Sequence, residues 1–222
     1  MTIRSALLTL AGIMPASGFK NAVLRRLGWR IGGNVRIGPC LLNHVDGAEI
    51  GDNAIVGPFN VFRNLVRLEV GESAQIGQWN WITGARLILD AGAPGVFHLG
   101  LQTAFTSRHY VDCTGGVYVG AYSSIGGERS TFISHSAAWS TAEQTWRPIE
   151  IGEYCLLSSN IQVTPGTVIG DRIIVGMGAT LAGHMTEPGL YVQPRAELVK
   201  RDLEGSYFSR TVGAVTTVRA RT

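Results

Sequence analysis

His135 stands in Ile133-Ser134-His135-Ser136, and a mostly polar stretch separates it from Pro148-Ile149. An imidazole titrates near neutral pH, so it is the side chain best suited to take a proton from one group and return it to another. Such a base works best when an acceptor holds its second ring nitrogen, which fixes tautomer and orientation. Asp112, within Arg108-His109-Tyr110-Val111-Asp112, is the first candidate for that acceptor, Glu143 is the second, and a main-chain carbonyl is the third. Taken alone, a loop histidine is more often a solvated or hydrogen-bonded bystander. His44, His98, His109, His135 and His184 include no H-x4-H pair and no obvious triad, and Cys40, Cys113 and Cys155 lack CxxC spacing, so no metal is expected. The cysteines read as small buried apolar residues of a reducing cytoplasm, with Cys113 set apart by its nearness to Asp112.

The elements that position these residues announce themselves as a period. Ile151, Leu157, Val163, Ile169, Val175 and Leu181 fall at every sixth position, most of them followed by a small residue. A helix wants apolar steps of three and four, and an alternating strand wants steps of two. A step of six fits a coiled stack of short strands with one inward aliphatic per face. The unit returns at Ile31-Gly32, Ile37-Gly38, Ile50-Gly51, Val56-Gly57, Val70-Gly71, Ile76-Gly77, Leu99-Gly100, Val119-Gly120 and Ile125-Gly126. Leading positions 31, 50, 70, 99 and 119 lie 19, 20, 29 and 20 apart, close to three hexads plus a bulge or an inserted loop. The reading is an all-β solenoid with one continuous core. Glycine after the aliphatic is expected to serve corners that need positive φ.

Regular coils have no cavity, so chemistry must be built on loops that leave the stack. Asp90 to Gly95 is a turn-rich bulge with an expected structural role, and 134–148 is the larger interruption, carrying His135, Trp139 and Trp146. These two tryptophans could stack on a sugar ring or pack the loop onto its own coil or a neighbouring subunit.

The run from Ile151-Gly152-Glu153 through Pro165-Gly166-Thr167-Val168-Ile169-Gly170-Asp171 to Val175-Gly176-Met177-Gly178-Ala179 resembles the signature of the hexapeptide-repeat acyltransferases. The resemblance spans roughly residues 31 to 200 and implies a left-handed parallel β-helix. It also implies an acetyltransferase that moves an acetyl group from acetyl-CoA to a saccharide hydroxyl during surface polysaccharide biosynthesis. In that family a histidine in an "SH" context, followed by a loop and "PIxIG", deprotonates the acceptor. Ser134-His135 and Pro148-Ile149-Glu150-Ile151-Gly152 match that order. His109-Tyr110-Val111-Asp112 resembles a feature of polysaccharide O-acetyltransferases, which would put His109 at the acceptor pocket beside Trp139 and Trp146. The resemblance places acetyl-CoA in a groove between subunits of a homotrimer. Ser159, Asn160, Gly176, Gly178 and Ala179 would lie along the pantetheine arm, and Arg195, Lys200 and Arg201 near the phosphates. Two departures stand out: Asn160 occupies a position where the family has a small residue, and Val192-Gln193-Pro194-Arg195-Ala196-Glu197 follows the family's ending only loosely. N-acetylation of an amino sugar would use the same base, and a non-catalytic binding solenoid is the reading from a different class. The γ-type carbonic anhydrases share such a β-helix but need three histidines on zinc, a set this chain does not offer.

The remaining features are bounds. With 222 residues, 45% of them hydrophobic, and 29 glycines, the chain can bury a sizeable core with many tight corners. A formal charge of +3 gives no argument for nucleic acid. Residues 1–30 lie outside the repeat: an apolar run from Ala6 to Met14, then helical spacing that sets Phe19, Val23, Leu24 and Leu27 against Lys20, Arg25 and Arg26. Arg4, the apolar run and Ala16-Ser17-Gly18 imitate a signal peptide, but Pro15 and the basic amphipathic segment after it fit two retained short helices better. Their role is a cap on the first coil or peripheral contact with the inner face of a membrane. The expected organisation is a helical cap over 1–30, a β-helix domain over 31–185 with the inserted loop 134–148, and a tail over 186–222.

Overall fold

A computed structural model describes residues 3–194, 196–211 and 213. The repeat folds as a three-faced parallel coil. On the first face Ile31, Ile50, Val70, Leu99, Val119, Ile151 and Ile169 stand in register on successive strands. The second face aligns Ile37, Val56, Ile76, Phe105, Ile125, Leu157 and Val175. On the third face Leu42, Phe62, Ile82, Val111, Phe132, Val163 and Leu181 are aligned. All of these side chains are buried and form one core, so each coil's apolar surface is covered only by its neighbours. The strands Leu41–Ile50 and Val61–Val70 run unbroken from the third face onto the first and join the two into a 13-stranded sheet. The second face is a separate 8-stranded sheet whose last strand, Gly189–Tyr191, carries the coil past residue 185.

The corners work differently from the expectation for glycine. Positive φ is carried mostly by larger residues in two columns: Asn34, Asn53, Ser73, Gln102, Tyr122, Tyr154 and Arg172 in one, Phe59, Trp79, Arg108, Arg129 and Asn160 in the other. The glycines after the aliphatics serve close approach. A Cβ on Gly71 would meet the carbonyl carbon and oxygen of Gly100 in the next coil at 2.6 Å, inside any tolerable contact. Stacked coils at strand spacing leave no room there for a side chain. Exposed corner rings stack along the same columns, Phe59 on Trp79 at 4.6 Å and Tyr122 on Tyr154 at 5.0 Å.

Two helices precede the coil, α1 (Ile3–Ile13) and α2 (Gly18–Arg26), the second capped by Ser17 Oγ on the Lys20 amide. α1 covers the open edge of Leu41–Ile50. Gly12 O accepts the Cys40 N–H at 2.8 Å, Thr9 Oγ1 donates to Leu42 O at 2.8 Å, and Ser5 Oγ accepts the His44 N–H at 3.4 Å. The first coil therefore presents no bare strand edge along this stretch. α2 departs from its helical-wheel reading. Lys20 is fully buried while Phe19 is 69% exposed. The Lys20 ammonium donates to Gly12 O at 2.7 Å, Met14 O at 3.0 Å and Gly38 O at 2.7 Å, tying both helices to the coil. Burial lowers its pKa to about 8.

Both large interruptions leave the prism at one corner, between the third and first faces. Residues 84–95 hold a short helix, α3 (Arg86–Asp90), which the turn-rich sequence did not announce. One coil on, residues 113–116 turn tightly. The next coil sends out an antiparallel hairpin, His135–Ala138 with Glu143–Trp146.

Candidate active site

His135 is the first residue of that hairpin, directly opposite Trp146, and Asp112 ends the strand Tyr110–Asp112 one coil earlier. Parallel pairing aligns Asp112 with Ile133, so the carboxylate meets the chain as it turns outward. Asp112 Oδ2 accepts His135 Nδ1–H at 2.7 Å, the His135 main-chain N–H at 3.0 Å and the Ser134 N–H at 2.9 Å. Its Oδ1 accepts the Thr114 hydroxyl at 2.5 Å and the Thr114 N–H at 3.3 Å. Ser134 Oγ donates to Asp112 O at 2.7 Å and accepts the Gly115 N–H at 2.8 Å, while Thr114 Oγ1 accepts the Ala85 N–H at 2.8 Å. The carboxylate, with 4% of its side chain exposed, is held from every side, whereas the His135 side chain is 31% exposed. An ionised carboxylate only accepts, so this contact puts the proton on Nδ1 and the lone pair on Nε2. Among the described residues nothing hydrogen-bonds to Nε2. The arrangement is a solvent-accessible imidazole with a fixed tautomer, able to accept a proton from a group that approaches the corner.

Ser134 enters the sequence reading only as the neighbour of His135, without a bonding role, and Thr114 does not enter it. Their signal is weak: a serine beside the histidine and a threonine two residues beyond the aspartate, in a chain where such residues fill many corners. Glu143 lies on the returning strand of the hairpin opposite Ala138, away from the His135 ring nitrogen that Asp112 holds. Cys113 is fully buried. Desolvation, and then the adjacent Asp112 charge, push its thiol well above the usual range, so it is a packing residue.

His109 lies in the interior and not at a pocket wall, which corrects the expectation drawn for it. Its ring is 1% exposed, sits edge-on to Phe105 at 4.9 Å, and has both nitrogens engaged. Nδ1 accepts the Ser130 N–H at 3.1 Å and Nε2–H donates to Thr106 Oγ1 at 3.0 Å. Alternation from the core residue Val111 points position 109 inward. His109 is one rung of a buried ladder in which each side chain accepts the next main-chain N–H: Asn60 to Asn80 at 2.8 Å, Asn80 to His109 at 2.9 Å, His109 to Ser130, and Ser130 to Ile161 at 3.3 Å. Trp146 borders His135, while Trp139 projects from the far end of the hairpin, almost fully exposed.

The residues considered for a donor ligand gather at a different corner, between the second and third faces. Asn160, at φ 58, projects outward, and Ser159 Oγ accepts the Glu128 N–H at 3.3 Å. The Gly178 and Gly176 amides are spent on coil-to-coil bonds to Ser159 O at 3.0 Å and Tyr191 O at 2.8 Å, and Ala179 is buried. Those two N–H groups are not free for a ligand. From Asn160 to the corner at Thr164 the chain crosses the whole third face, about 13 Å at strand rise. One protomer therefore does not bring this column to His135. Lys200 and Arg201 are exposed on the segment after the last strand, and Arg195 lies outside the described residues.

No family model matches the chain. It is 29% identical over 161 residues to the bifunctional protein GlmU of Acidithiobacillus ferrooxidans, an alignment covering 72% of this chain and 30% of that protein. The chain thus spans under a third of the length of the curated relatives it matches. Among solved structures, a hexapeptide-repeat containing acetyltransferase from Vibrio cholerae O1 biovar eltor, complexed with acetyl coenzyme A, is similar over 89% of this chain and 84% of its own, with 16% identity and a TM-score of 0.44. A mutant of AntD, an N-acyltransferase from Bacillus cereus in complex with dTDP and coenzyme A, is similar over 85% of this chain and 93% of its own, with 13% identity and a TM-score of 0.45.

Proposed function

We propose that this protein transfers an acetyl group from acetyl-CoA to a hydroxyl of a saccharide acceptor in surface polysaccharide assembly, with His135 as general base and Asp112 as the residue that orients it. The observation that carries this reading is the 2.7 Å contact of His135 Nδ1 with a buried, fully hydrogen-bonded Asp112, at the root of the one hairpin that leaves the described coils. A sugar hydroxyl is a poor nucleophile at neutral pH and needs its proton removed as it attacks. In the proposed step the Nε2 lone pair takes that proton while the oxygen bonds to the thioester carbonyl carbon, whose π pair moves to the carbonyl oxygen. Collapse of the tetrahedral adduct breaks the C–S bond. The departing thiolate recovers the proton from Nε2–H, leaving an acetyl ester and free coenzyme A. Asp112 keeps its charge beside the imidazolium throughout.

His135 and the Ser159, Asn160, Gly176, Gly178 and Ala179 column lie at opposite ends of one face. The proposal therefore pairs the column of one protomer with the hairpin of the next, as a homotrimer would. Pantetheine would meet side chains and carbonyls there, with Lys200 and Arg201 toward the phosphates. Trp146, across the strand pair from His135, is the proposed stacking surface for the acceptor. The test is coenzyme A release from acetyl-CoA with a panel of saccharides, comparing wild type with His135→Ala. Acceptor-dependent release by the wild type, reduced about 100-fold or more in the variant, is expected. Equal turnover by the two proteins removes the assigned base, and an amide in place of an ester product reassigns the acceptor group.

A further inference from the structure

α1 carries its apolar side outward. Ser5, Leu8, Ala11 and Gly12 are its buried residues, and Arg4 and Thr9 on the same side bond to carbonyls of Leu27, Asp46 and Leu42. The opposite side holds Ile3, Leu7, Leu10 and Ile13, all exposed, Ile3 at 83%. On α2, Phe19 is exposed as well, because Lys20 takes the inward position. A helix whose seat is made largely by polar groups and small residues thus presents a row of large aliphatics to its surroundings.

The charge of the same layer is one-sided. Residues 1–30, the two helices and the lead into the first coil, include Arg4, Lys20, Arg25, Arg26 and Arg30 and no Asp or Glu; the first coil adds Arg36 together with Asp46 and Glu49, and Glu49 pairs with Arg30. Arg4, Lys20 and Arg25 spend their N–H groups on main-chain carbonyls, which leave the positive charge in place. Arg26 and Arg36 are exposed and have no acidic partner among the described residues.

We propose that this end of the protein binds the surface of an anionic lipid membrane, with α1 lying in the interfacial plane and the coil standing away from it. An 11-residue helix is about 16 Å long, half of what is needed to cross the hydrocarbon core, so it lies on the bilayer and does not span it. Apolar residues on one side of a short helix, with basic and no acidic side chains on the two helices, are what an anionic interface recognises. A second copy of the chain is the weaker occupant. A strip about 16 Å by about 10 Å covers roughly 160 Å², far below the about 800 Å² per partner of a stable interface. The inference does not depend on the proposed reaction.

Sedimentation with vesicles tests it, using phosphatidylcholine alone and phosphatidylcholine mixed with phosphatidylglycerol. The wild type is expected to bind the anionic vesicles, and the double variant Leu7→Glu, Leu10→Glu to bind at least about tenfold more weakly at an unchanged thermal unfolding midpoint. Should that variant unfold early, Arg26→Glu reads the same surface without touching the apolar row: weaker binding at low salt, approaching the wild type at high salt. Absence of wild-type binding, or equal binding by wild type and variants, overturns the proposal. So does self-association that the double substitution abolishes while vesicle binding is absent, since the face then belongs to another copy. Vesicle binding by His135→Ala at wild-type strength is expected whatever the fate of the proposed reaction.

Discussion

Acidification should break the interior of the coil at His109. In the folded protein Nδ1 accepts the Ser130 N–H and Nε2–H donates to Thr106, whose own hydroxyl proton goes to a carbonyl, so the ring is held neutral. Adding a proton to Nδ1 sets N–H against N–H and removes one rung of the Asn60, Asn80, His109, Ser130 ladder. Desolvation is the leading cause of a pKa lowered from 6.5 to about 4. In the unfolded chain the ring takes up its proton near 6.5, so between the two values the unfolded state binds more protons and stability rises with pH. The contribution is fully present above 6.5 and is lost as pH falls toward 4. Two and a half units at 1.36 kcal/mol each make this about 3 kcal/mol in full, and about 2 kcal/mol between pH 6.5 and about pH 5. Urea unfolding at about pH 7 and about pH 5 reads it directly. Wild type should lose about 2 kcal/mol more than His109→Asn over that step, because an Asn amide, like Asn60 and Asn80, accepts the next N–H without titrating. Equal losses in the two proteins would refute the reasoning, since other groups would then carry the whole acid response.

Asp112→Asn keeps the shape of the corner but exchanges a charged acceptor for a neutral one under His135. It should lower kcat by about 100-fold with little change in the KM for acetyl-CoA, a split that damage to the corner alone would not give. Gly12→Ala adds a Cβ 2.6 Å from Cys40 O and 2.8 Å from Leu42 Cγ, so α1 must lift from the strand edge. A loss of about 1–3 kcal/mol in thermal or urea unfolding is expected, and a wild-type midpoint would contradict the seating of α1.

The solenoid was legible because its core is periodic: each inward aliphatic at a step of six lands in register on one face. Where the core side chain is Phe62, Phe105 or Phe132, a search for aliphatic-glycine units passes over it, although these rings fill the middle of the prism. The order of His135 and Asp112 along the chain was readable from the break in the repeat, and one-coil spacing makes their contact physically short. What was not readable depends on partners distant in sequence. Lys20 is buried because carbonyls of Gly12, Met14 and Gly38 converge on it, and no helical wheel contains Gly38. His109 looked available beside Tyr110 and Asp112, yet alternation from Val111 and the ladder at the neighbouring corner draw it inside. The family resemblance implies a ligand surface at Asn160, Gly176 and Gly178, with Asn160 larger than the family's residue there. The coil uses the amides of all three to hold itself together.

The central claim is that His135 Nε2 deprotonates a saccharide hydroxyl during acetyl transfer. Its most direct measurement is transfer of a ¹³C-labelled acetyl group from coenzyme A to an oligosaccharide, followed by NMR for wild type and His135→Ala at saturating donor. A new acetyl ester on a sugar oxygen, formed about 100-fold or more slowly by the variant at an unchanged fold, is expected. Ester formation at the same rate in both proteins would contradict it.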